Sequence, residues 1–338
     1  MKDSTDDRAA TAVRYRAFGE IEAAGMSPVY EEWALGISDD ADLLALIDSL
    51  PPARRQPNLV FGAARFLGAD PGSFEDFRAW FLANTEAVLA TARQRTTQTN
   101  EPARCATLLP ALAEIPGPLA LIEVGASAGL CLFPDRYSYR YLAAGDAADI
   151  RVRRIDPPEG TSPVVLDCAV SGAPPLPAAL PEIVWRAGID LNPLDVASDD
   201  DLAWLDALIW PEHEARRARL RAAAALAATE PPRIDRGDLL ERLPALAAEA
   251  PSEATLVVLH TAVLAYLPPE KRADFVDLVP TLPGHWVSNE GRDVLPGIRQ
   301  HPPVAGRPAS DFVLAVDGRQ VASVHPHGAA LHWLGAPD

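Results

Sequence analysis

The 338-residue sequence predicts an α/β fold, with an all-helical N-terminal part ahead of a doubly wound, mostly parallel sheet. Three observations lead there. Short apolar runs that stop at glycine or aspartate recur after residue 118, as buried parallel strands do. Segments of helical spacing separate them. The last run is doubled around Asp317-Gly318, the strongest short hairpin signal a sequence carries.

Taken in order, residues 1–117 repeat alanine, leucine and charged side chains at helical spacing around 8–25, 39–49 and 73–95. Helix starts are expected at residues 38–40 and 71–73, and a further helix follows the polar segment Gln98-Thr-Asn-Glu-Pro-Ala-Arg104. After Pro116-Gly117-Pro118 the texture changes, so 118–338 is read as a second, α/β domain. Seven strands are expected in it, at residues 119–124, 182–189, 233–234, 256–259, 285–288, 312–316 and 320–324. A long helix from 199 to about 229 and another near Pro268-Pro269 fall between them, and the hairpin makes one strand antiparallel. The 33 prolines mark loops between elements.

The formal net charge is −17, with lysine only at positions 2 and 271. Nucleic-acid binding needs a basic footprint, so DNA, RNA and anionic membrane are excluded as expected partners. A small neutral or cationic substrate suits this surface. Three cysteines, none in a C-x-x-C pair, support neither a disulfide framework nor a zinc site, and no metal is expected. The acidic start MKDSTDDRAA lacks the apolar centre of a signal peptide, and no apolar run reaches the length of a membrane span. The cytoplasm is the expected location. A homodimer or protein partner stays open.

The chemistry-bearing motif is Leu121-Ile-Glu-Val-Gly-Ala-Ser-Ala-Gly-Leu130. A strand ends at Gly125, turns on small residues, and is expected to enter a helix at Gly129. Small residues let a ligand approach the backbone, and a helix N-terminus offers free amide donors. Ligands of such sheets sit beyond the strand C-termini. Glu123 can meet an ammonium group there, Asp190 both hydroxyls of a ribose, and Asp238 the amine of an adenine. The bland reading of each acid is a helix cap. The same turn also reads G-x-S-x-G, with Ser127 as a hydrolase nucleophile, Asp190 or Asp238 as acid, and His260, His325 or His327 as base. No HGGG segment precedes it, and the upstream region is helical where a hydrolase needs strands.

The series Glu123-Val-Gly-x-x-x-Gly129, Gly188-Ile-Asp190-x-x-Pro193, Gly237-Asp238 and Val257 to Tyr266 resembles the motifs of class I S-adenosylmethionine-dependent methyltransferases. That resemblance implies a seven-stranded methyltransferase-like sheet. It also implies S-adenosylmethionine held by Glu123, Gly125, Ser127, Gly129, Asp190 and Asp238, with methyl transfer to a small molecule. The sequence departs from the pattern in Ser127, at the middle glycine position, and in an insertion at about 131–181. More narrowly, the chain resembles an uncharacterised bacterial family of unknown function. The shared stretches are Gln98-Thr-Asn-Glu101, Glu123 to Leu130, Arg186 to Pro193, Trp210-Pro-Glu212 and His327-Gly328. That leaves a second expectation, a methyltransferase-like fold used as a cyclase, a lyase or a binding protein.

On the acceptor side, His260 follows a strand and is a candidate general base, with a buried, hydrogen-bonded histidine as the bland alternative. Tyr266 is a candidate hydrogen-bonding group or a core tyrosine, and Glu290 ends the next strand. Asn100, Glu101 and Arg104 either fold over the glycine turn against substrate or cap the helix that follows. The run 212–221 reads as a solvated helix face.

Overall fold

The computed structural model describes residues 4–144, 152–303, 306, 308 and 310–335. Residues 1–3 of the acidic start and 145–151 of the expected insertion lie outside the described residues. Among the described residues there are ten α-helices and eleven strands. The helical part opens with α1 (Ser4–Ala17), continued by a π-helical stretch, Phe18–Ala23, and then α2 (Pro28–Asp39), α3 (Ala41–Ile47), α4 (Pro57–Phe66) and α5 (Phe74–Gln94). Next come α6 (Arg104–Ala113), β1 (Leu119–Val124), β2 (Ser138–Ala143), β3 (Val152–Ile155), β4 (Val165–Ser171) and β5 (Ile183–Asp190). The chain continues through α7 (Asp199–Leu208), α8 (Glu214–Ala227), β6 (Arg233–Arg236), α9 (Leu239–Ala247), β7 (Thr255–Thr261) and α10 (Pro269–Leu278). It ends in β8 (His285–Gly291), β9 (Phe312–Val316), β10 (Arg319–Val324) and β11 (Ala330–Trp333).

Two compact units result. One comprises residues 1–99 and 198–218, the other 100–197 and 219–338. The sheet unit thus begins at residue 100, ahead of the composition change at 117, and residues 198–218 return to the helical unit. The expected helix from 199 to 229 is two helices, interrupted at Trp210-Pro211-Glu212, where proline removes an amide donor.

Within the helical unit the starts follow local chemistry. Ser27, Asp40, Ser73 and Ser198 cap α2, α3, α5 and α7 by accepting amide hydrogens from their first turns. Asp199, Asp200 and Asp201 add negative charge at the start of α7, which favours the helix dipole. The core is aromatic: Trp33 stacks on Phe77 at 4.0 Å between centroids, and Phe61 packs against both.

In the sheet unit all eleven strands form one mixed sheet, in the order β3-β2-β4-β11-β10-β9-β8-β7-β1-β5-β6. The expected seven strands are present, and four more join them. Three of those, β2, β3 and β4, come from the segment read as an insertion, and β11 extends the C-terminal hairpin. The five strands β6, β5, β1, β7 and β8 run parallel. β9 lies antiparallel beside β8, and β10 beside β9. The antiparallel neighbour of β8 is therefore the first strand of the hairpin. Asp317 (φ 49) and Gly318 (φ 75) form that hairpin turn, as the Asp-Gly signal requires. No described helix is long and apolar enough to cross a membrane.

Register assigns the two faces of the central strands. Ile122, Val124, Val258, Trp286 and Phe275 belong to one apolar cluster with α9 residues Leu243 and Leu246. Glu123 pairs in register with Leu259, and Leu259 with Val287. Since side chains alternate along a strand, Glu123, Leu259, Thr261, Val287 and Asn289 share the opposite face.

The C-terminal loop closes onto the start of α6. Gly328 has φ +77, and a Cβ on it would lie 2.0 Å from the carbonyl oxygen of Ala103. Both the left-handed backbone and the backbone contact require glycine. Gly328→Ala is expected to lower unfolding free energy by about 2–4 kcal/mol. Urea denaturation checks this, and an unchanged midpoint would place the His-Gly loop elsewhere.

Candidate functional site

The turn after β1 lies where the strand sequence reverses, between β5 on one side of β1 and β7 on the other. In doubly wound sheets this is the crevice that takes ligands. Gly125, Ser127 and Gly129 all have positive φ, at 70°, 54° and 72°. Two glycines adopt this conformation without penalty, while Ser127 is strained by it.

Five amides of this turn, those of Gly125, Ala126, Ser127, Gly129 and Leu130, are engaged within the protein. Gly125 and Ala126 both donate to Ile189 O, at 2.8 and 3.1 Å, and Gly129 donates to Ala126 O at 2.7 Å. Ser127 N donates to Asp190 Oδ2 at 2.8 Å, and Leu130 N to Asn100 Oδ1 at 3.2 Å. No α-helix begins at Gly129: a single 3-10 turn, Leu130–Leu132, follows, and the chain then enters β2. The expectation of a helix N-terminus offering free amides is corrected here. Asp135 explains part of this course. It receives a two-point ion pair from Arg186, which also donates to Leu132 O and lies over the Phe133 ring. That pairing holds the 132–135 segment against β5.

Asn100 both donates to Ala126 O and accepts from Leu130 N, so it spans the turn. Glu101, nearly fully buried, accepts from Ala103 N at 3.1 Å and from Arg219 Nε at 2.8 Å. Asn100 therefore folds onto the turn, while Glu101 accepts from the amide of Ala103 just before α6, a helix with no side-chain cap. Arg104 donates to Thr261 O and Oγ1 and to Pro326 O, joining α6 to the end of β7 and to the C-terminal loop. Arg219 lay in the run read as solvated. Nothing in its helical spacing announces that it neutralises a buried glutamate.

Glu123 stands beneath the turn. Its Oε2 is buried with no hydrogen-bond partner among the described residues. Burial holds its carboxyl well above the ordinary value of 4.5. Cys131 and Asp190 push in the same direction and Arg104 opposes them. Ser127 Oγ, both side-chain polar atoms of Asn289, and Glu290 Oε2 are likewise buried without a partner. Asn289 and Glu290 occupy the C-terminal end of β8, and Glu123 that of β1. An unsatisfied buried polar group costs about 1–3 kcal/mol, so these atoms at the strand ends are candidates for contact with a ligand or with water.

The other expected site residues are placed as follows. Asp190 spends Oδ2 on Ser127 N and Oδ1 on Asn192 N, at 2.8 and 2.7 Å. Asp238 is the N-cap of α9, accepting from Leu240 N, with Lys271 Nζ 3.5 Å from its other oxygen. Tyr266 is not a core tyrosine, being 73% exposed just past β7. His260 is fully buried. Its Nε2 accepts from Trp286 Nε1 at 2.9 Å, and its Nδ1 faces Glu290 Oε1 at 2.8 Å. An indole nitrogen only donates, so Nε2 carries no proton and Nδ1–H donates to Glu290. Glu290 Oε1 also accepts from Val263 N and Leu264 N. The general-base expectation for His260 is corrected on this ground: both ring nitrogens are committed inside the core. The same network removes His260 as the base of a serine triad. Asp190 and Asp238 bind backbone amides, and Ser127 Oγ is buried. Among the described residues no group of three or more His, Cys, Asp or Glu is arranged to hold a metal.

Together these features define an α/β protein with a large mixed sheet and buried polar side chains at the ends of its central strands. Over residues 12–333 the chain matches the family described as "Uncharacterized protein conserved in bacteria (DUF2332)", and it belongs to that family. No curated protein matches it.

Two outcomes follow from this geometry. Nitrogen chemical shifts of His260 are expected to report the Nδ1–H tautomer; the Nε2–H form would refute the Trp286 hydrogen bond. Glu123, with its folded pKa raised, contributes stability that is present below 4.5 and lost as pH rises toward the folded value. Glu123→Gln should therefore gain on the wild type as pH climbs from about 4 to about 8 in urea titrations. A pH-independent gap would mean that Glu123 is not buried as described.

Proposed function

We propose that the protein binds S-adenosylmethionine at the crevice beyond β1, β5 and β7 and transfers its methyl group to a small-molecule acceptor in the cytoplasm. The observation that carries this reading is Glu123, a buried carboxyl with an unpartnered oxygen, beneath a close-turning glycine segment at the point of strand reversal. The parallel run β6-β5-β1-β7-β8 with an antiparallel strand beside it supports the methyltransferase-like sheet that the motifs imply.

In this reading the cofactor ammonium pairs with Glu123. Each Asp190 oxygen already accepts one amide and keeps a second lone pair for a ribose hydroxyl. The Asp238 oxygen that faces Lys271 accepts from the adenine amine. Methyl transfer is an in-line displacement that forms a nucleophile–carbon bond as the sulfonium–carbon bond breaks. The protein contributes alignment, since a base is needed only where the nucleophile is protonated. With His260 and Glu290 Oε1 committed to one another, the β7 and β8 ends orient the acceptor in this reading, and Asn289, unpartnered among the described residues, hydrogen-bonds it.

Calorimetry with S-adenosylmethionine and S-adenosylhomocysteine tests the reading. An ammonium ligand requires ionised Glu123, so binding is expected to release a proton and to tighten as pH rises above 4.5. The released proton appears as a dependence of the measured heat on buffer ionisation enthalpy. Glu123→Gln should weaken binding by about 1–3 kcal/mol. Asp190→Ala serves less well, because it also frees the Ser127 amide. No binding of either compound to folded protein would refute the assignment and favour a methyltransferase-like fold put to another use.

A further inference from the structure

On the other face of the sheet, a cavity of about 360 Å³ opens between α10 and residues 293–298. It shares no residue with the β1 turn. Its walls are largely apolar: Ala273 and Val276 from α10, Leu295 and Ile298 from the facing segment, and the ring of Trp286. Trp286 is held in place because its indole nitrogen is tied to His260. The volume falls in the range of small-ligand pockets, which combine apolar walls with a few polar groups that fix orientation.

The charged groups among the described lining residues are two aspartates and one arginine. Asp277 and Asp293 both line the cavity, and neither carboxylate has a hydrogen-bond or ion-pair partner among the described residues. Arg272, the cation among the described lining residues, turns its guanidinium to the carbonyls of Leu267 and Ala265. Two unpaired carboxylates, an aromatic wall and an aliphatic lining are complementary to an organic cation with a hydrophobic body. The carboxylates take the charge, the walls take the body, and an indole face adds attraction for a cation close to it.

We infer that this cavity is a second ligand site, selective for a small primary or secondary ammonium compound bearing an aromatic or aliphatic group. It does not depend on S-adenosylmethionine binding, and the two sites are separable by experiment.

The test is calorimetric titration of the full chain with three probes of one shape: 3-phenylpropylamine, 3-phenylpropanol and 3-phenylpropionate. The amine is expected to bind about ten-fold more tightly than the alcohol, with the acid weakest. The preference should shrink as salt screens the carboxylates. In the double variant Asp277→Asn, Asp293→Asn the amine should fall to the level of the alcohol. Ala273→Trp, on an exposed helix position, should fill the cavity and abolish binding of all three. Equal affinity for amine and acid, no binding of the amine to the wild type, or full binding by the filled variant would each overturn the proposal. S-adenosylmethionine calorimetry on the Ala273→Trp protein is expected to match the wild type, so failure at one site leaves the other reading standing.

Discussion

The hydrogen bond from Ser127 N to the Asp190 carboxylate is the tie on which the centre of the sheet unit depends. Three residues of positive φ in five turn the chain sharply away from its hydrogen-bonded ladder, and every buried amide still needs an acceptor. Ile189 O, Asp190 Oδ2 and Asn100 Oδ1 supply those of Gly125, Ala126, Ser127 and Leu130. Because these acceptors come from β5 and from the segment before α6, the turn is specified by two distant parts of the chain. Gly188 completes the arrangement, since a Cβ there would lie 2.6 Å from the Ala126 Cβ. The turn thus rests directly on β5.

Around this centre the structure uses buried polar groups as fasteners. Glu101 with Arg219, Arg104 with Thr261, and His260 with Trp286 and Glu290 each join elements far apart in sequence. Such ties add little net stability over apolar packing. Breaking one is costly, about 3–5 kcal/mol for a buried ion pair, because a charge is left stranded. They specify which elements meet, while the apolar residues on both sheet faces supply the driving force. Among the described residues, Glu123 Oε2, Ser127 Oγ and both polar side-chain atoms of Asn289 lack such a tie, and the proposed ligand site is built on them.

Several features are legible in the sequence itself. The seven expected strands are present because each combines an apolar run with a glycine or aspartate stop. Asp317-Gly318 forms its turn because positive φ at both positions suits those residues. Ser73 and Asp40 start helices because their side chains satisfy amides that a helix cannot. Less was legible where the residues 131–181 were read as an insertion. Its strands are half-exposed and carry arginine and aspartate, as in β2 and β4, so they lack the continuous apolar signal of a buried parallel strand. The helix expected after Gly129 failed for a related reason: small residues permit a helix entry, but Asn100 and the Arg186–Asp135 pair hold the chain in a tighter turn.

By itself the sequence determined the helical-then-α/β plan, the positions of the central strands and the location of the glycine turn. These follow from local periodicity and backbone preference, which act over a few residues. Only the tertiary structure decided how the chemistry-bearing side chains are spent. Asp190 holds the turn, Asp238 caps a helix, His260 lies locked between an indole and a carboxylate, and Glu123 is left with an unpartnered oxygen. A titratable residue at a strand end has the same local signature whether it faces a ligand or a neighbouring amide. For Asp190 and His260 the difference is made by Ser127, Trp286 and Glu290, more than twenty residues away, whose approach no local pattern encodes.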